Sequence, residues 1–128
     1  MKNISLLFTF ILLFLLINSC SYKFNAPDTG PVVDPNDTVS FSSQILPIFN
    51  NNNNCTSCHK AGGTSPDLTT ANAFNELTSK GLINSSDASQ SKIYTYGDPS
   101  NTTHSWKKYS TGETQLILIW ITQGASNN

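Results

Sequence analysis

Apolar side chains follow two patterns along the chain. Residues 4–17 form a nearly unbroken apolar run, interrupted only by Ser5 and Thr9. From residue 40 onward apolar residues recur three or four positions apart, the spacing of helix faces, with turn residues between clusters. Phe41, Ile45, Ile48 and Phe49 make the first face, with Ser40, Ser42 and Ser43 as candidate N-caps. Pro47 inside that face predicts a kink or a late helix start. The asparagine run 50–54 predicts a solvated helix end. Phe74 and Leu77 mark a second helix, capped by Thr69 or Thr70 and stopped by Gly81, with Leu82 and Ile83 packing behind it. Ile93 and Tyr94 mark a third over residues 89–96, ended by Gly97 and Pro99. The last helix, residues 111–123, opens on an S-x-x-E capping box at Ser110 and Glu113 and stops at Gly124. Leu116, Ile117, Trp120 and Ile121 give it a wide apolar face. The run 116–121 would also suit a buried strand, but the capping box, the glycine and the length favour helix. The pattern predicts a small all-α domain over residues 40–128.

The early run has a different meaning. A membrane-spanning helix needs about 20 apolar residues. Residues 4–17 fall short of that and follow the single charge of Lys2, as in the h-region of a signal peptide. Leu16-Ile17-Asn18-Ser19-Cys20 then resembles a bacterial lipobox. Residues 1–19 are therefore expected to be a lipoprotein signal peptide, with Cys20 lipidated. An ordinary secretory signal that contains a cysteine, or an uncleaved helix, is the alternative. Residues 20–39 carry Pro27, Pro31 and Pro35 among aspartates and read as a disordered, flexible tether. A short strand at Val32 and Val33 is the other reading. The expected location is outside the cytoplasm, lipid-anchored to a bacterial membrane on its periplasmic side or at the outer-membrane surface.

Charge adds little. The net charge is −1 and only 12 % of the 128 residues are charged, so no nucleic-acid partner is expected. The candidate chemistry lies in Cys55-Thr56-Ser57-Cys58-His59, which is C-x-x-C-H, the signal for covalent attachment of c-type haem. Two thiols three positions apart each add to a vinyl group and form thioethers, and the adjacent His59 becomes the proximal iron ligand. A zinc knuckle, a redox dithiol and a chance match compete. Zinc would have to draw on Cys55, Cys58, His59 and His104, and a dithiol would call for a βαβ pattern that is not legible. Export agrees with haem attachment, and with Cys20 assigned to lipid no cysteine pair remains for a disulfide.

A proximal histidine usually donates its second ring N–H to a carbonyl, and Pro66 in the following loop is the candidate acceptor. Leu68 is then placed to pack on the haem. The sixth iron ligand follows from scarcity. The one methionine is Met1, lost with the signal peptide, and the one other histidine is His104. His104 is the expected distal ligand; Lys107, Lys108 or an open five-coordinate site are the alternatives. Two histidines give a lower potential than a His/Met pair. Trp106, Tyr94, Tyr96 and Tyr109 could wall the haem or be plain core.

The helix of Phe41, Ile45, Pro47 and Ile48 feeding C-x-x-C-H, then Pro66 and Leu68, Ser91 and Tyr94, and Glu113, Trp120, Ile121, Gly124 and Ala125, resembles the class I-like c-type cytochrome domains. The likeness is to the small variant found in planctomycete and Bacteroidetes-type exported proteins. In many relatives a Met followed by Pro stands where this chain has His104 and Ser105. The resemblance implies an all-helical fold wrapped around one covalent haem c, with electron transfer as its task. The expected function is a membrane-tethered monohaem electron carrier working with redox protein partners, not an enzyme. Two alternatives stay open: a gas- or peroxide-binding sensor or enzyme with an open sixth site, and a zinc-stabilised binding module.

Overall fold

The computed structural model describes residues 34–104 and 106–128. The expected signal peptide, the lipidated Cys20 and the tether through residue 33 lie outside the described residues. Every element among the described residues is helical, with no strand. None of these helices is long and apolar enough to cross a membrane.

A π-type turn, Phe41–Ile45, runs directly into helix α1, Leu46–Asn50. The Ser40 hydroxyl caps its start by accepting from the Ser43 N–H at 3.3 Å. Pro47, which lacks an N–H, lies at the start of α1 just after this wide turn, in which the Leu46 N–H reaches back five residues to the Phe41 carbonyl. The asparagines do more than solvate the helix end. Asn52 takes a left-handed φ of 53° within a 3-10 turn, Asn51–Asn53. The Asn50 and Asn54 side chains donate to the Leu46 and Ile48 carbonyls, at 2.9 and 3.1 Å.

Helix α2, Ala73–Ser79, starts later than expected because Asp67, not a threonine, caps the turn before it. Asp67 Oδ1 accepts from both the N–H and the hydroxyl of Thr69, at 2.9 and 2.6 Å. Gly81 ends the helix with φ 61°, and the Leu82 N–H closes on the Leu77 carbonyl at 3.0 Å. The third predicted helix divides. A 3-10 turn, Ala88–Gln90, is broken by an extended Ser91 before α3, Lys92–Gly97. The final helix α4, Thr111–Thr122, has both halves of its capping box formed.

The core gathers where the π-type turn and α1 meet α4. Phe41 packs edge-on against Phe74, ring centres 5.3 Å apart, and lies 5.2 Å from Trp120. Ile45, Phe49, Leu77 and Ile117 are fully buried around them. Val39 belongs to this core rather than to the tether: it is buried, and its N–H donates to Gln123 Oε1 at 2.9 Å. Segment 55–68 and the loops flanking α3 extend beyond this cluster and enclose a cavity.

Candidate functional site

The motif folds as a single tight turn. The Cys55 N–H returns to the Phe49 carbonyl at 2.8 Å, and the N–H groups of Cys58 and His59 both close on the Cys55 carbonyl, at 3.1 and 2.9 Å. That turn brings Cys55, Cys58 and His59 to the wall of one cavity of about 530 Å³. Cofactor sites typically run from about 300 to 1,000 Å³. Leu68, Leu82, Ile93 and Tyr109 supply its apolar wall. A wider polar groove of about 740 Å³ lies behind the motif, lined by Asn50, Thr56 and Lys60, but it brings no thiol or imidazole.

His59 is held by its neighbours. Its Nδ1 and the Pro66 carbonyl oxygen are 3.1 Å apart. A carbonyl only accepts, so Nδ1 carries the proton and Nε2 is left as the electron-pair donor. The Leu68 N–H donates to the His59 carbonyl at 3.0 Å, which keeps the loop against the motif. Leu68 itself is buried on the cavity wall.

His104 comes to the same cavity from the opposite side of the chain. Its ring centre lies 6.1 Å from that of His59, with the planes tilted by 33°. Two imidazoles on opposite sides of one metal, each with a metal–nitrogen bond of about 2.0–2.1 Å, place their ring centres about 6.3 Å apart. The observed separation fits that arrangement. Asn101 sets the position of His104: its Oδ1 accepts the His104 N–H at 2.9 Å and the Thr103 N–H at 2.8 Å, and its Nδ2 donates to the Thr95 carbonyl at 2.9 Å. Burial, then the charge of Lys108, then His59, lowers the pKa of His104 and favours the neutral imidazole that a metal requires. Its Nδ1 is buried without a hydrogen-bond partner among the described residues.

The other sequence candidates divide. Lys108 is committed elsewhere, donating through Nζ to the Asn101 carbonyl at 2.6 Å. Lys107 lines the cavity, with a left-handed φ of 55°. Tyr96 and Tyr109 line it too, Tyr94 packs against the core, and Trp106 stands 70 % exposed. Tyr109 is fixed by donating its hydroxyl to the Ile93 carbonyl at 3.0 Å. Gly97 ends α3, as the sequence predicts, and is also a wall element: a Cβ there would overlap the Tyr109 ring. Nothing in the sequence pairs those two positions.

The two thiols are unequal. Cys58 is exposed, whereas Cys55 is half-buried and its thiol is pushed up to about 11, by burial first and by the Glu113 carboxylate second. The thiolate is the nucleophile. In the haem-free protein at pH 9, only about one Cys55 in a hundred is ionised. Iodoacetamide is therefore expected to label Cys58 at least about tenfold faster than Cys55. Peptide mapping after partial labelling checks this, and equal rates would show that burial does not protect Cys55. No protein-family model, curated protein or solved structure matches the chain.

Proposed function

We infer that this chain is a monohaem c-type cytochrome of class I-like build that carries single electrons while tethered to a membrane through lipid on Cys20. One observation carries the reading: the rings of His59 and His104 lie 6.1 Å apart, and both line one largely apolar cavity together with Cys55 and Cys58 of C-x-x-C-H. Cys55 and Cys58 would hold the haem covalently, and the imidazoles of His59 and His104 would ligate its iron. Bound haem would supply one-electron exchange. The chain fixes the proximal imidazole through Pro66, covers one face with Leu68 and keeps water from the inner wall with Ile93 and Tyr109.

The rival readings draw less support. A redox dithiol needs a lowered thiol pKa, and Cys55 is shifted the other way. A structural zinc site uses four side-chain ligands, and among the described residues no group of three or more His, Cys, Asp or Glu gathers as a metal site. An open sixth position is disfavoured by the placement of His104. The test is an optical spectrum of the exported protein from a strain able to attach haem, oxidised and reduced, then exposed to carbon monoxide. Sharp reduced bands indifferent to carbon monoxide are expected. Bands that shift would favour the sensor or enzyme reading, and no haem spectrum would overturn the proposal.

A further inference from the structure

The peptide unit joining Pro66 to Asp67 is used at both ends. Its carbonyl oxygen accepts from His59 Nδ1 at 3.1 Å, and its N–H donates to Glu76 Oε2 on α2 at 3.0 Å. A carboxylate, one peptide and one imidazole therefore stand in an unbroken line. The peptide cannot easily turn away. Asp67 fastens its own side chain to Thr69 and, through Oδ2, to Asn72 Nδ2 at 2.8 Å. Glu76 is half-buried and, among the described residues, pairs with the exposed Lys80 at 3.5 Å.

We propose that Glu76 is a positioning residue that tunes His59 through the Pro66–Asp67 peptide. The proposal rests on the haem reading above. Peptide resonance couples the two ends of the unit. Negative charge at the N–H increases electron density on the carbonyl oxygen, and successive hydrogen bonds polarise one another. A stronger acceptor at Pro66 draws harder on the Nδ1 proton. It makes His59 a more basic ligand, because partners of a ligating histidine raise its donor strength. A more electron-rich ligand favours ferric over ferrous iron, so Glu76 lowers the potential. Glu76 lies one hydrogen bond beyond the residues that touch the ligand, and nothing in the chain's local pattern marks it out.

The test compares the haem-loaded parent protein with Glu76→Gln. The amide oxygen still accepts from Asp67, so a purely structural role predicts an unchanged potential. The proposal predicts that, at one fixed solution potential, the ferrous-to-ferric ratio of the variant rises about two- to fivefold. The effect is kept small because Glu76 is one hydrogen bond further out than a direct partner of the ligand, whose loss typically costs about 10- to 100-fold in metal affinity or activity. It also predicts that the His59 Nδ1 proton resonance of the ferrous form moves. Lys80→Gln should shift the ratio the opposite way, since it leaves the carboxylate less neutralised. It is the fallback should Glu76→Gln not fold. An unchanged ratio, or a changed ratio with an unmoved Nδ1 proton, overturns the relay while leaving the haem reading intact. A parent protein that shows no haem bands overturns both.

Discussion

Cys55→Ala combined with Cys58→Ala is expected to give a chain that carries no covalent haem and has lost its cooperative thermal melt. The reason is the size of the gap. A cavity of about 530 Å³ is more than three times an engineered core cavity of about 150 Å³. At about 24 cal/mol per Å³, it represents a ceiling on the order of 10 kcal/mol. Water enters the open mouth, so the true cost is lower, but a domain this small has only about 5–15 kcal/mol in total. The loss should be uneven. The cluster of Phe41, Phe74 and Trp120 does not line the cavity and can hold the π-type turn and α2 against α4 without haem. Far-UV circular dichroism should keep part of its helical signal, and the near-UV signal should keep the contribution of the packed Trp120 while losing that of Tyr109 on the cavity wall. A native-like cooperative melt of the double variant would show that haem is not the centre of this half of the domain.

His104→Ala is expected to convert the ferric protein from low to high spin and to open the reduced protein to carbon monoxide. Of the neighbouring cations, Lys108 is held by the Asn101 carbonyl, while Lys92 and Lys107 line the cavity only as long, flexible amines. His104→Met should restore six-coordination and raise the potential, because a thioether ligand raises it relative to imidazole. The rise is expected to be on the order of 0.1 V, within the span of about 0.8 V that axial ligands command. Electron paramagnetic resonance and a redox titration read both effects. A His104→Ala spectrum identical to that of the parent would remove His104 from the site and leave Lys92 and Lys107 as the other side-chain nitrogen donors that line the cavity.

The local elements were legible in the sequence. The capping box at Ser110 and Glu113, the glycine stops at Gly81 and Gly124 and the apolar face of the last helix depend on neighbours within a few positions, and those neighbours are adjacent in the chain. The motif turn and the Pro66 carbonyl were legible for the same reason, with only seven positions between His59 and its acceptor. Where local reasoning erred, a contact distant in sequence prevailed. Val39 reads as tether in the sequence because nothing beside it shows that Gln123 will receive its N–H. Gly97 does end α3 as its place in the sequence suggests, but its second role, the close approach to the Tyr109 ring, is invisible there because that ring lies on the other side of a loop.

By itself the sequence determined the helices, the thiol-imidazole motif and the list of histidines from which a second ligand could come. Only the tertiary structure decided that His104 faces His59 at 6.1 Å, that Lys108 is occupied elsewhere and that Glu76 meets the far end of the Pro66–Asp67 peptide. The division is physical. Helix faces, caps and turns are set by short-range hydrogen bonding and side-chain spacing, which the order of residues displays. A cavity is made by surfaces that meet only after the chain has folded back on itself, and its chemistry depends on which polar atoms have by then found partners.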